Sequence, residues 1–137
     1  MQTNDTFLMK FDGCSKGNPG QSGAGAVIYN NDNEEIWSGS VFVGEKCTNN
    51  YAEYSGLILG MKKAVELNIK SLCIQGDSML VINQMDEFYS CKSSNLIGLY
   101  NEAKILEGKI DRIQYKHIRR HLNKRADELA NLSIISL

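Results

Sequence analysis

Residues 6–20 read TFLMKFDGCSKGNPG. In the first half, Phe7, Met9 and Phe11 alternate with Leu8, Lys10 and Asp12, which is the period of a β-strand. An acidic residue therefore closes an apolar run and leads into a glycine-rich stretch holding the only proline of the chain. Asp-Gly is a common turn pair, so Asp12 and Gly13 read as a turn. They also read as the mouth of a site at the end of a strand. The rest of the chain has to weigh these two readings.

Outward from this point, residues 13–21 predict a loop. GAGAVIYN (23–30) and EEIWSGSVFVG (35–44) predict two strands, with NNDN as a hairpin turn between them. Thr48 or Asn49 fits the N-cap of a long helix near 49–67. On that helix Ala52, Gly56, Gly60 and Ala64 recur every fourth residue. Each helical glycine costs about 1 kcal/mol relative to alanine, and a stripe of small residues offsets this by allowing close packing against a sheet. KSLCIQGD (70–77) predicts a short buried strand. SMLVINQM (78–85) predicts a brief helix and DEFYSCKSS a loop. NLIGLYNEAKILEG (95–108) has helical spacing, KIDRIQYKHI (109–118) alternates as a last strand, and KRADELANLSII (124–135) closes the chain as a helix.

The order is three strands, helix, strand, helices, strand, helix. Strands joined through helices pair in parallel, and consecutive hairpin strands pair antiparallel. The expected architecture is α/β, a mixed five-stranded sheet with helices on both faces. In open α/β sheets the site lies beyond the carboxyl ends of the parallel strands. KFD (10–12) and QGD (75–77) each place an aspartate at such an end.

The 137 residues fit one domain, 1–137, with a single core. No apolar run reaches membrane-spanning length, and MQTNDTFLMK lacks the build of a secretory signal. No membrane partner is expected. Cys14, Cys47, Cys73 and Cys91 are scattered without a C-x-x-C pair, which argues against a zinc site and for a reducing, cytoplasmic setting. The net charge is −1, yet Lys109–Arg125 holds seven Lys or Arg against one acid, Asp111. Such a run reads either as a solvated face or as a patch for phosphates.

Asp12, Glu53, Asp77 and Asp127 sit at strand ends or helix starts. They meet if the first and fourth strands are neighbours. Each has a duller reading as well: turn, dipole partner, cap, early-helix acid. Together they would repel, since two unit charges 4 Å apart cost roughly 4 kcal/mol at an effective dielectric near 20. Hard divalent cations with oxygen ligands relieve this, and a pair of such ions about 4 Å apart suits phosphodiester cleavage.

DGCSKGNPG, GAGAVIY, TNNYAEYSGLILGMKKA, QGDSMLVINQM and HIRRHLNKRADELAN resemble type 1 ribonuclease H in order and spacing, from about Phe7 to Leu132. The likeness is to the compact branch. Between Asp77 and Asp127 there is no room for the Trp- and Lys-rich protrusion of longer members, and no separate hybrid-binding domain is expected before the core. The resemblance implies the ribonuclease H-like fold with sheet order 3-2-1-4-5. It implies a metal-dependent endonuclease cutting the RNA strand of RNA·DNA hybrids to 5′-phosphate and 3′-hydroxyl ends. It implies Mg²⁺ or Mn²⁺, two ions with substrate bound, held by Asp12, Glu53, Asp77 and Asp127. Gly13, Ser15, Asn18, Thr48, Asn49 and Asn50 fall where the family binds the hybrid, and duplex RNA is a further candidate substrate. Ribose 2′-hydroxyls donate and accept, so short amides and hydroxyls suit that reading. Many members carry an assisting His ten residues before the last Asp. His117 has that spacing but lies in the predicted last strand. Arg120 matches an arginine credited with the role in the compact branch, and His121 follows it. The acting species is expected to be a monomer. The rival readings are a resolvase- or transposase-type nuclease on the same scaffold and a non-catalytic hybrid-binding module.

Overall fold

Alternation carries the first strand further than the sequence predicts. The computed structural model describes residues 5–135. Residues 1–4, which open the N-terminal stretch read above, and 136–137 lie outside the described residues. Strand β1 spans Thr6–Lys16, β2 Gly20–Tyr29 and β3 Glu35–Cys47. The expected loop at 13–21 therefore shrinks to a turn at 17–19. The ladder runs on through Cys14↔Gly23, Ser15↔Ser22 and Lys16↔Gln21. Small and polar residues are poor strand formers in isolation, and here tertiary packing overrides that preference. At Gly25, opposite Asp12, a Cβ would stand 2.6 Å from Leu129 Cβ. Only glycine lets the closing helix lie so close to the sheet.

Helix α1 (Asn49–Glu66) follows, then β4 (Ser71–Gly76), α2 (Met79–Met85), α3 (Ile97–Glu107), β5 (Arg112–His117) and α4 (Lys124–Ile135). The sheet order is β3-β2-β1-β4-β5. β1 is antiparallel to β2 and parallel to β4, and β5 is parallel to β4. This is the expected mixed sheet in the order 3-2-1-4-5. β5 starts later than the alternation from Lys109 predicts. Residues 109–110 instead turn the chain off α3, with Lys109 and Ile110 amides bonded to the Leu106 and Glu107 carbonyls. Ile110 is buried there.

Helices α1, α2 and α3 share one face of the sheet. Met9, Phe11, Ile28, Leu72 and Ile74 point to it and pack with Leu57, Met61, Val81, Met85 and Leu106. The small-residue stripe of α1 lies against β1 as expected. A Cβ at Gly56 would meet the Asp12 carbonyl oxygen at 2.4 Å. Such close approach fixes the height of α1 over the end of β1, and with it the place of Glu53 one turn earlier. α4 lies alone on the other face, over β1, β2 and β3.

Candidate active site

The parallel pairing of β1 with β4 ends at Phe11↔Gly76. The next residue along each chain segment is an aspartate, Asp12 within β1 and Asp77 just past the end of β4, so the ladder itself brings the two side by side. Glu53 comes down from α1. The Gly13 amide donates to its Oε1 at 3.1 Å and ties it to β1. Asp12, Glu53 and Asp77 offer oxygens that all lie within 4.8 Å of one another. Asp127, in the first turn of α4, lies outside that group of three but near enough for its carboxyl to act on Asp12. All four acids line one open cleft of about 620 Å³ with Asn49, His117, Arg119, Arg120 and Asn131.

The electrostatics follow from burial. Asp12 is only 4% exposed. Burial, then the charge of Asp77 and the nearby Asp127 carboxyl, push its carboxyl up to about 8, against an opposing pull from the Gly13 amide. Burial, then the Asp12 and Asp77 charges, hold Glu53 well above the ordinary carboxylate range. None of the four acids forms an ion pair with a Lys or Arg among the described residues. Clustered carboxylates with only oxygen donors suit a hard divalent cation, so the donor set fits magnesium or manganese.

Around the acids, several expected contacts have structural duties. Thr48 is the N-cap of α1, its Oγ1 accepting from the Tyr51 amide at 3.2 Å. Asn18 Oδ1 accepts from the Asn49 amide at 3.0 Å and binds the β1–β2 turn to the head of α1. Ser15 donates to the Cys47 carbonyl at 2.8 Å. Asn50 is exposed beside them. Asp77 precedes α2, but Ser78 caps it, its Oγ accepting from the Val81 amide. Asp77 is thereby left free of a capping role.

His117 ends β5 opposite Gly76, with Nε2 3.2 Å from the Asp77 carbonyl oxygen. Arg120 begins a 3-10 turn, Arg120–Leu122, and lines the cleft together with Arg119. His121, also exposed on this turn, is not among the lining residues. The basic run read from Lys109 to Arg125 is not one patch. Arg125 is engaged by Glu35 and Glu128. Lys109 and Arg112 lie at the far end of β5, since strand geometry separates Arg112 from His117 by about 17 Å. A linear charge count cannot see that a strand and a helix spread these side chains over three surfaces.

Sequence reasoning missed three residues. Asn123 is fully buried between the 3-10 turn and α4. Its Nδ2 donates to the Phe11 carbonyl at 2.9 Å, its backbone carbonyl accepts from the Asp127 amide, and its amide donates to Arg120. One side chain thus joins the end of β1 to the helix bearing the fourth acid. Asn131 donates to the Asp127 Oδ1 at 3.2 Å, and Lys16 donates to Asn131 at 2.8 Å. The signal for Asn131 was present: it stands four residues after Asp127, on the same helix face.

A family model described as reverse transcriptase-like matches residues 10–133. The chain belongs to that family. Within it, the resemblance and the fold are those of type 1 ribonuclease H. The chain is 39% identical over 124 residues to the bifunctional protein Rv2228c of Mycobacterium tuberculosis, covering 90% of this chain and 34% of the relative. It is 34% identical over 121 residues to ribonuclease HI of Halobacterium salinarum, covering 88% of this chain and 60% of the relative. The chain therefore spans about a third to three fifths of these relatives' length. The solved N-terminal RNase H domain of Rv2228c superposes with a TM-score of 0.93 at 36% identity, over 97% of this chain and 96% of that one. LC11-RNase H1, solved in complex with an RNA/DNA hybrid, superposes with a TM-score of 0.88 at 28% identity, over 95% and 97% of the two chains. Among the described residues no helix is long and apolar enough to cross a membrane.

Proposed function

We propose that this domain is a divalent-metal-dependent endonuclease that hydrolyses the RNA strand of RNA·DNA hybrids, leaving 5′-phosphate and 3′-hydroxyl ends. The observation that carries the reading is the four-carboxylate cleft at the joined ends of β1 and β4, none of whose acids is paired with a Lys or Arg among the described residues. Its likeness to ribonuclease HI and to a hybrid-bound RNase H1 supports the substrate class.

Asp12 and Asp127 would hold one ion, and Asp12, Glu53 and Asp77 the other, as Mg²⁺ or Mn²⁺. When bound, such a pair lowers the pKa of a water and neutralises charge on the leaving oxygen. The protein's own share is placement. Asp12, on β1, faces both carboxylate groups. The Gly13 amide and Asn131 hold Glu53 and Asp127 in orientation. Arg119, Arg120 and His117 stand on the cleft wall, where they orient the scissile phosphate. Gly13, Ser15, Asn18, Thr48, Asn49 and Asn50 form the adjoining rim, whose short amides and hydroxyls read ribose 2′-hydroxyls. Each chain carries all four carboxylates, so the reading needs no second copy. The four free thiols suit a reducing compartment such as the cytoplasm.

The deciding experiment offers end-labelled hybrid, duplex DNA and duplex RNA with Mg²⁺, with Mn²⁺ and with EDTA. Cleavage of the hybrid's RNA strand is expected with either metal and none with EDTA. Robust cleavage in EDTA would falsify the mechanism. Preferential cutting of branched or duplex DNA would favour a resolvase-type nuclease, and tight hybrid binding without turnover a binding module.

A further inference from the structure

The face of the sheet that carries α4 is only half covered. α4 packs on β1, β2 and β3. Register identifies what the uncovered half presents. Met9 and Phe11 of β1 and Leu72 and Ile74 of β4 point to the buried core on the opposite face. Strand alternation then turns Lys10, Gln75 and Lys116 outward in one row, Leu8, Cys73 and Gln114 in the next, and Thr6, Ser71 and Arg112 in the last. This surface is polar and cationic, with Leu8 its only large apolar side chain. The strands place no carboxylate on it below Asp12.

Two features connect it to the cleft. Asp12 belongs to the same side of β1 as Lys10, so the row of Lys10, Gln75 and Lys116 lies one residue pair below the carboxylates. Beyond the end of β5 at His117 the chain leads into Arg119 and Arg120 on the cleft wall. Neither Arg112 nor Lys116 forms an ion pair or side-chain hydrogen bond among the described residues, and both are exposed. They stand two pairs apart along the edge strand, about 13 Å. Cations left unpaired on a molecule of net charge −1, in a line leading from a phosphodiester site, are complementary to a phosphate backbone. With no aromatic side chain on this face, contact is with phosphates and not with stacked bases.

Resting on the nuclease reading above, we propose that the open β1–β4–β5 face is a phosphate track for a single-stranded nucleic-acid extension leaving the catalytic cleft, with Lys116 and Arg112 as its principal contacts. The track lies on the opposite side of the sheet from α1 and adds affinity for substrates longer than the cleft.

The test compares the intact protein with the double variant Arg112→Glu, Lys116→Glu, and with Lys62→Glu on the exposed side of α1 as a charge control. The substrates are a minimal blunt hybrid and the same hybrid carrying a single-stranded extension on either end of either strand. Cleavage efficiency, kcat/KM, is measured from low to moderate salt. For the intact protein, at least one extension is expected to raise kcat/KM, mainly through KM. The double variant is expected to lose about tenfold on that extended substrate, with a salt slope lower by roughly 1.4 for two single-strand phosphate contacts. It should cleave the minimal hybrid as the intact protein does, which also shows that it folds. The proposal is overturned by any of three results: no extension helps the intact protein, the double variant keeps the advantage, or Lys62→Glu abolishes it equally. Failure of the intact protein to cut even the minimal hybrid would instead sink the nuclease reading on which the track rests.

Discussion

Two acidic clusters lie at different edges of this domain, and they are held in opposite ways. At the corner of α2, α3 and β5, Asp86, Glu87, Glu107 and Asp111 gather around Lys104. The Lys104 ammonium reaches the Met85 carbonyl at 2.7 Å, Glu87 at 3.0 Å and Glu107 at 3.5 Å, and lies over the Tyr100 ring. Burial alone would lower its pKa, but the Glu87 hydrogen bond and the Glu107 charge outweigh that and raise it. Tyr115 adds a hydrogen bond to Glu107 at 2.7 Å. This cluster is complete within the chain. The cleft at the ends of β1 and β4 has just as many acids, none of them ion-paired with a Lys or Arg among the described residues, and burial with the neighbouring carboxylates pushes Asp12 and Glu53 above the ordinary carboxylate range. An acidic cluster with a resident lysine is architecture. One whose acids pair with no lysine or arginine suits a cation that comes from outside.

The contrast breaks most directly at Asp12. Asp12→Asn should drop hybrid cleavage to background while circular dichroism and cooperative melting persist. The same variant tests the electrostatics. Folded Asp12 keeps its proton to about 8, against an ordinary 3.8 in the unfolded chain. Between those values the folded state binds the extra proton, so metal-free stability falls as pH rises from about 4 to about 8. Melting temperatures without metal should show that decline. Mg²⁺ or Asp12→Asn should flatten it, and an unchanged slope in the variant would assign the effect elsewhere.

Asn123→Ala comes next. It leaves the Phe11 carbonyl without its donor and frees α4 from β1. A misplacement of Asp127 by about 1 Å can cost up to roughly a hundredfold in kcat, and stability should fall by about 1–3 kcal/mol. A stability loss with kcat intact would make Asn123 a packing residue only. Lys104→Met sharpens the comparison from the other cluster. It should cost about 1–3 kcal/mol in denaturant unfolding, because partly buried acceptors lose their cation, and leave kcat near its starting value. Loss of activity at constant stability would mean that the two clusters are linked. The smallest effect belongs to Arg125→Ala. Its exposed pairs with Glu35 and Glu128 are worth less than about 1 kcal/mol, and hybrid affinity should hardly change, since the guanidinium is already committed within the chain.

Much of the fold was legible because its signals are local. Phe7, Met9 and Phe11 fixed a strand and its inner face, and the four-residue stripe of α1 fixed which side meets the sheet. The motif around Asp127 marked a helix start. The extent of β1 and β2 was not legible, because residues 13–21, rich in glycine and small polar side chains, look like a loop until Ser15 and Lys16 pair with Ser22 and Gln21. The basic run misled for the same reason: adjacency in sequence says nothing about which of β5's two faces, or which helix partner, receives each charge.

The chain by itself determined the residue types, the order of strands and helices, and the four acids, since periodicity, capping and motif spacing are properties of neighbours along the backbone. Only the tertiary structure decided that β1 and β4 end side by side, that Asn123 bridges Phe11 to α4, and that Lys104 pairs with one acidic cluster while no Lys or Arg among the described residues pairs with the other. Those outcomes depend on distances between atoms as many as 112 residues apart. Such distances are set by the packing of whole elements against a sheet.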